Sequence, residues 1–283
     1  MKQEELQWTV FTVQRPGLTR DPNMPATDDS LKWVANSSTL IYGENDAVLI
    51  DTYLTIDQNN ELIDSIVATG KNLRYIYITH PHGDHFFGLP LLLARFPNAK
   101  AIATRAIADA CSVAIQPEAI DGFWKVRFPG QLPDHLVAPE ALEGDEFELE
   151  GQKLKIVQTG FTDTDHSTSV YVPSVGLIVA GDVVYNGIHP YLAETSPQTR
   201  KDWIASLDKL AALHPKFVIA GHKNPVRTDN PDIIGATKKY FADFNRLNGE
   251  TSTAVELYNK MRELYPDWVN PGSLWGGAVG AKG

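Results

Sequence analysis

The chain has 283 residues, of which 43% are hydrophobic, and a formal net charge of −10. This length and composition suit one large core, or a domain with an extension. The negative charge argues against nucleic acid or an anionic membrane as a partner, because both attract a basic surface. The single cysteine, Cys111, excludes an internal disulfide and is typical of a reducing compartment.

The first predicted elements along the chain form a hairpin. Residues 1–5 contain no apolar run that could direct export, so we expect a cytoplasmic protein. Residues 40–42 and 48–50 are short runs of Leu, Ile, Val and Tyr on either side of a polar turn, which predicts two paired strands. Asp51 closes the second strand.

A dense group of candidate metal ligands follows the next strand. Residues 75–78 are apolar and aromatic, which predicts a buried strand, and they run into Thr79-His80-Pro81-His82-Gly83-Asp84-His85. Imidazole and carboxylate suit zinc and its first-row neighbours. Side chains in a loop at a strand end can converge without disturbing the sheet. The sequence therefore favours a metal site over the alternative, a polar surface turn that is rich in His.

Three further strands end at candidate ligands. Residues 154–157 precede the loop that contains His166, residues 177–181 run into Asp182, and residues 217–221 run into His222. Loops at strand ends are where layered α/β proteins usually gather ligands. Glycines stand directly before Asp182 and His222, which allows the backbone to approach a metal closely.

The spacing H-x-H-x-D-H, followed by a His, a Gly-Asp and a Gly-His, resembles the metallo-β-lactamase superfamily. The resemblance runs from about residue 38 to His222 and implies an α/β fold, a four-layer αββα sandwich with two metal ions in a cleft at one edge. It implies that His80, His82 and His166 hold the first metal, and that Asp84, His85 and His222 hold the second, with Asp182 between them. Asp51 resembles a carboxylate that supports the His80 loop, although an exposed aspartate at a strand end is an equal alternative.

One loop departs from the family pattern. Relatives place the third ligand in a loop resembling Gly-His-Thr-x-Gly-His, whereas this chain has Gly160-Phe161-Thr162-Asp163-Thr164-Asp165-His166. The loop is longer by a residue and carries two extra carboxylates. His166 is the favoured ligand, and Asp163 or Asp165 could contribute or orient it.

The chemistry expected from such a site is metal-assisted hydrolysis. Two divalent ions are expected, zinc first, with manganese or iron as alternatives. The pKa of water, about 15.7 in bulk, falls to roughly 7 on zinc, which makes a metal-bound hydroxide available at neutral pH. Asp84 is expected to hold and orient this hydroxide.

The substrate is expected to be an apolar or aromatic small molecule. Asp182-Val183-Val184-Tyr185 resembles the Asp-x-x-Tyr of N-acyl homoserine lactonases, which implies that the Tyr185 phenol contacts a substrate oxygen; simple packing of this tyrosine is equally consistent. The predicted pocket lining is mainly aromatic, and its candidates are Phe86, Phe87, Phe161, Trp124, His189 and Tyr191.

We therefore expect a hydrolase that opens a cyclic ester or amide, such as a lactone or a lactam. A β-lactamase is the first alternative, but zinc β-lactamases of the superfamily generally lack the bridging aspartate and are exported. A thioester hydrolase of the hydroxyacylglutathione type is the next, and it would be expected to have a basic tail. A flavodiiron-like redox protein, a nuclease and a non-catalytic binding module fit less well.

The last part of the chain is predicted to be helical. We expect a catalytic domain over residues 1–230 and a helical extension over residues 231–283 that packs on the same domain. Its apolar faces could form a homodimer contact or a substrate lid, but we favour helices that cover the sandwich. The tail at residues 275–277 is expected to be flexible unless it docks.

Overall fold

The computed structural model describes residues 5–14, 21–25 and 34–283. Residues 1–4, on which most of the prediction of a cytoplasmic protein depends, lie outside the described residues. Within the described ranges, no helix combines the length and the apolar character needed to cross a bilayer.

Groups of strands are separated by helices along the described residues. The strands are β1 (Gln7–Val13), β2 (Asn36–Tyr42), β3 (Asp46–Ile50), β4 (Asn72–Tyr77), β5 (Lys100–Thr104), β6 (Glu140–Leu142), β7 (Glu146–Leu149), β8 (Gln152–Gly160), β9 (Ser167–Val172), β10 (Leu177–Val179), β11 (Tyr185–Asn186), β12 (Phe217–Ile219) and β13 (His222–Lys223). The helices are α1 (Ile56–Ala68), α2 (Gly83–Phe86), α3 (Leu89–Arg95), α4 (Arg105–Ala114), α5 (Pro117–Ala119), α6 (Lys125–Arg127), α7 (Pro197–Ala211), α8 (Asp232–Glu250), α9 (Ala254–Leu264) and α10 (Pro271–Lys282). A π-helical turn spans Ile120–Trp124 and a 3-10 turn spans Gly181–Val183.

Two sheets face each other in the middle of the molecule. The first has the order β11-β13-β2-β3-β4-β5-β6, with β1 beside β2, and the second has the order β12-β10-β9-β8-β7. Ile41 and Tyr77 of the first sheet share a buried core with Val170 of the second. Helices α1, α3 and α4 cover the outer face of the first sheet, and α7 and α8 cover that of the second. The predicted four-layer αββα sandwich is therefore confirmed.

Several strands end at the same edge of this sandwich. Strands β3 and β4 are parallel, with Ile50 opposite Tyr77, and strands β10 and β12 are parallel, with Val179 opposite Ile219. Parallel strands bring their carboxyl ends to one edge. The loops that follow these strands therefore lie together, and they carry most of the candidate ligands.

Two helices in the second half of the chain begin at residues that are typical helix N-caps. Ser196 caps α7 and Thr253 caps α9, each in a reciprocal capping box with the third helical residue. The side chains of Phe241 and Phe244 in α8 are fully buried, in a core shared with Trp203 of α7. Helices α8, α9 and α10 thus share the core on the outer face of the second sheet, so they pack on the sandwich as expected; the domain boundary after residue 230 stays a prediction.

The tail at residues 275–277 is docked, which is the condition under which flexibility was not expected. Residues 275–277 lie inside α10, and Trp275 is buried and donates its indole N–H to Asp21 at 2.8 Å. A glycine at position 280 permits this docking, because a Cβ there would lie 2.7 Å from the carbonyl oxygen of Ala193. A small-residue face lets α10 approach this backbone closely.

Candidate metal centre

The residue after β3 organises the loop after β4. Asp51 is 2% exposed, and its carboxylate accepts hydrogen bonds from the backbone N–H and the hydroxyl of Thr79 at 2.8 and 2.7 Å. The same carboxylate lies 3.0 Å from His85 Nδ1. Asp51 has a φ of 60°, a left-handed conformation that aspartate adopts more readily than most residues. Of the two alternatives for Asp51, the structure shows a buried carboxylate that supports the His80 loop, and not an exposed aspartate at a strand end.

Three histidines direct their Nε2 atoms into the cluster. The Nδ1 atoms of His80, His85 and His222 are held by the Thr79 hydroxyl at 2.9 Å, by Asp51 at 3.0 Å and by the carbonyl oxygen of Ala35 at 3.0 Å. These contacts occupy each Nδ1 and direct each Nε2 into the cluster. Such outer hydrogen bonds fix the tautomer and orientation that a metal ligand requires.

Asp182 lies between the two groups of ligands. One of its oxygens is 2.8 Å from His222 Nε2 and 3.8 Å from His80 Nε2, and the other is 3.4 Å from His85 Nε2. Gly221 makes this position possible, because a Cβ there would lie 2.2 Å from Asp182 Oδ1. Burial favours the neutral acid, but the imidazoles of His222, His85 and His80 hold the pKa of Asp182 well below its usual value.

Asp84 completes the second group, in which Asp84, His85 and His222 offer ligand atoms within 4.8 Å of one another. The side-chain amide of Asn36, at the start of β2, donates to Asp84 Oδ2 at 3.1 Å. Burial raises the pKa of Asp84, but the neighbouring His85 and His222 outweigh burial, so the pKa of Asp84 lies below its usual value. Asp84 is therefore available as an ionised acceptor.

The prediction that His166 belongs to the cluster is corrected. Its side chain is 51% exposed and lies 3.7 Å from the exposed carboxylate of Asp165, and its backbone has a left-handed φ of 61°. Asp163 stands in the cluster instead. Its side chain is fully buried, 2.9 Å from His82 Nδ1 and 3.9 Å from His80 Nε2.

His80, His82, Asp163 and Asp182 thus form the first group, again with ligand atoms within 4.8 Å. Burial opposes the charged form of each histidine in the cluster. It dominates at His80, whose pKa falls to about 4. The negative charge of Asp163 outweighs burial at His82 and raises its pKa to about 9, and Asp182 and Asp51 raise that of His85 to about 10. The cluster thus attracts positive charge.

These residues fit divalent cations. His80 Nε2 is buried and has no hydrogen-bond partner among the described residues, although it points at two carboxylates. Within the described part of the chain, the ion-pair partners of Asp163 and Asp182 are histidines, with no Lys or Arg among them. Buried carboxylates need a compensating cation, and imidazole with carboxylate is a donor set for first-row metals.

Tyr185 and Tyr191 lie beside this cluster. The Tyr185 hydroxyl donates to Asp182 Oδ2 at 3.0 Å, and its ring lies 5.5 Å from that of His222. Tyr185 is 1% exposed, so it reaches the centre from the interior. The Tyr191 ring lies 6.1 Å from the His82 ring. The His82 side chain is 23% exposed, whereas the side chains of the other members of the cluster are at most 7% exposed. The cluster therefore opens at His82 and Tyr191.

Three of the predicted pocket residues lie in the core. Phe86 and Phe87 are fully buried, because α2 turns them inward; the Phe87 ring lies under Gly83, where a Cβ would approach it to 2.6 Å. His189 is also fully buried and pairs through Nδ1 with the Tyr240 hydroxyl at 2.9 Å, among the C-terminal helices. The structure therefore places these three residues in the core and not at the opening beside His82.

Trp124 and Phe161 are half-buried and stay candidates for the pocket. Trp124 packs with its ring 5.6 Å from that of Phe87. Three contributors were not recognised in the sequence: the Asn36 amide, the Thr79 hydroxyl and the Ala35 carbonyl. Thr79 adjoins the His80 motif, which could have marked it, whereas nothing local marks Ala35 or Asn36.

Comparison with known proteins agrees with this fold. The family model described as the metallo-beta-lactamase superfamily matches residues 31–222. The uncharacterized protein YobT of Bacillus subtilis (strain 168) is 26% identical over 215 residues, which cover 71% of this chain and 88% of that protein. A hydroxyacylglutathione hydrolase of Francisella tularensis subsp. novicida is 36% identical over 78 residues, 25% of this chain and 29% of that enzyme.

Solved structures share the fold. A metallo-beta-lactamase family protein from Thermus thermophilus superposes with a TM-score of 0.64 at 22% identity, covering 96% of this chain and 91% of that one. A metallo-beta-lactamase from Pontibacter korlensis gives a TM-score of 0.60 at 17% identity, covering 84% and 100%. The chain belongs to the metallo-beta-lactamase superfamily.

Proposed function

We propose that the protein is a two-metal hydrolase that opens a small cyclic ester or amide. The observation that carries this proposal is the position of Asp182, whose two oxygens face histidines of both ligand groups. A carboxylate shared in this way suits a pair of ions better than one tetrahedral ion. His80, His82, Asp163 and Asp182 would hold one ion, and Asp84, His85, His222 and Asp182 the other.

Bound at these residues, two divalent ions would supply an activated water and polarise the scissile carbonyl. The chain's own groups do the rest. Asp84 is ionised and fixed by Asn36, so its carboxylate can orient a water and accept its proton. The Tyr185 hydroxyl is a donor at the centre of the cluster, where it can stabilise negative charge that develops on a substrate oxygen.

The position of Tyr185 supports a lactone or lactam as the substrate class. Its hydroxyl lies 3.0 Å from Asp182 Oδ2, within reach of an oxygen or nitrogen of a ring that would open beside this carboxylate. Tyr191 and the partly exposed His82 stand at the opening, where an apolar ring or chain would pass. Zinc is the first candidate metal, with manganese or iron as alternatives, and the location that we propose is cytoplasmic.

A thioester hydrolase is the second candidate. The observation in its favour is the 36% identity over 78 residues to a hydroxyacylglutathione hydrolase. That match covers 29% of the enzyme, so most of its length has no counterpart in this comparison.

A panel of substrates distinguishes the two candidates. Metal-loaded protein would be assayed with γ- and δ-lactones, cyclic amides, a chromogenic β-lactam and S-lactoylglutathione, with Asp84→Asn as the inactive control. We expect the highest kcat/KM with a lactone or cyclic amide. Turnover of the thioester alone would favour the second candidate, and turnover of the β-lactam alone would indicate a β-lactamase. No turnover by fully loaded protein would contradict the hydrolase proposal.

A further inference from the structure

Half of the members of the first ligand group are carboxylates. Two of its four members, Asp163 and Asp182, are aspartates, and with Asp84 the whole cluster has three carboxylates at ligand positions. His166, the nearest imidazole in the loop after β8, points to solvent. The loop therefore brings a negative charge to the position where the sequence pattern suggested a neutral ring.

The loop holds Asp163 in this position. The Thr162 hydroxyl lies 2.8 Å from Asp163 Oδ1, and it is also 2.6 Å from the hydroxyl of Ser167 at the start of β9. The backbone N–H of Thr162 donates to the carbonyl oxygen of Thr164 at 2.9 Å, which closes a tight turn around Asp163. One oxygen is thereby anchored to the loop, while Oδ2 faces His80 and His82.

We propose that Asp163, and not His166, completes the first metal site, and that the resulting set of two imidazoles and two carboxylates binds manganese(II) in addition to zinc. The inference rests on the proposed metal centre and specifies the ions that it accepts. Carboxylate oxygens suit manganese(II), whereas imidazole suits zinc. Three carboxylates also offset most of the charge of two divalent ions. We therefore expect the first site to retain manganese(II) without a third imidazole ligand.

Three substitutions in one loop test the ligand assignment. Asp163→Asn removes one charge with little change in shape, and Asp165→Asn makes the same change at a carboxylate that is 66% exposed two residues away. His166→Ala removes the alternative ligand. Each variant would be stripped with a chelator, checked for folding by circular dichroism, and titrated with manganese(II), with free ion followed by electron paramagnetic resonance, and with zinc by calorimetry.

We expect the unmodified protein to bind two equivalents of manganese(II). Asp163→Asn should weaken binding of one equivalent roughly 10- to 100-fold, with a larger effect on manganese than on zinc, while Asp165→Asn and His166→Ala bind like the unmodified protein. Loss of an equivalent in His166→Ala, or full retention of both in Asp163→Asn, would overturn the assignment. Failure of the unmodified protein to bind manganese(II) while it binds zinc would overturn the proposed ion preference.

The readout is binding, so it is independent of the substrate. If the metal pattern holds and no substrate on the panel reacts, the proposed reaction is wrong and the Asp163 site stands. If lactones react and His166→Ala loses a metal ion, the reaction stands and the Asp163 assignment is wrong. A variant that fails to fold is replaced by Asp163→Glu, which keeps the charge but moves it by one methylene; it should alter affinity for one equivalent only.

Discussion

At the scale of single residues, the cluster depends on how each ligand is oriented. Asp51, Thr79 and the Ala35 carbonyl fix the Nδ1 atoms of the three histidines that point their Nε2 atoms inward. Gly221 leaves room for the Asp182 carboxylate. These supporting groups come from separate strand ends, which explains why the ligands converge only in the folded chain.

The hydroxyl of Tyr185 provides the prediction at this scale. Tyr185→Phe should keep the fold and both metal ions, because only a hydroxyl is removed, and should lower kcat roughly 10- to 1,000-fold through loss of one transition-state hydrogen bond. The measurement is steady-state kinetics on the best panel substrate, with metal content checked.

Tyr240→Phe is the matched control for Tyr185→Phe. Its hydroxyl is equally buried but lies 2.9 Å from His189 among the C-terminal helices, so its loss should change stability and not kcat. An unchanged kcat in Tyr185→Phe would show that the tyrosine only packs, and would remove the main argument for a lactonase-like reaction.

Residue-level prediction from the sequence succeeded where spacing was short and failed where a loop decided the outcome. The ligands within residues 80–85 lie on one loop and short helix, so the motif itself brings them together. The choice between Asp163 and His166 depends on a turn in which the Thr162 hydroxyl contacts both Asp163 and Ser167, and the sequence does not reveal these contacts. Hydrophobicity alone could not show that α2 directs Phe86 and Phe87 into the core.

At the scale of elements, the C-terminal helices hold the segment that follows Asp182. The backbone N–H of Tyr185 donates to the Thr237 hydroxyl of α8 at 3.2 Å, and the N–H of His189 donates to the Val269 carbonyl, before α10, at 3.0 Å. Trp203 of α7 donates to the Val183 carbonyl at 2.9 Å. The helices therefore support Tyr185 and the approach to Tyr191, besides covering the sheet.

Two glycines test the docking of α10. Gly280→Ala should lower the free energy of unfolding by about 1–3 kcal/mol, because the new Cβ would lie 2.7 Å from the Ala193 carbonyl oxygen. Gly235→Ala, in α8, is the control; it has no atom within 4 Å of the added Cβ and should be neutral or stabilise by up to about 1 kcal/mol. Urea denaturation compares them, and equal stabilities would show that α10 is not tightly docked.

At the scale of the whole molecule, strand order produces the site. The strands that end at ligands belong to both sheets, so the metal centre exists only where the two sheets meet at one edge. Apolar runs of the sequence identified most of these strands, and the family resemblance supplied their arrangement. Docking of α10 could not be read from its glycines, because the same residues suit a mobile tail or a close contact, and only the partner at Ala193 decides between them.

The central claim is that each chain holds two metal ions, and elemental analysis of the purified, unmodified protein tests it most directly. Protein dialysed against trace zinc or manganese and measured by plasma mass spectrometry should contain two equivalents per chain. Asp182→Ala should lose most of this metal, because removal of the shared carboxylate leaves the two cations facing each other unshielded. One equivalent or less in the unmodified protein, unchanged after zinc or manganese is added, would contradict the account.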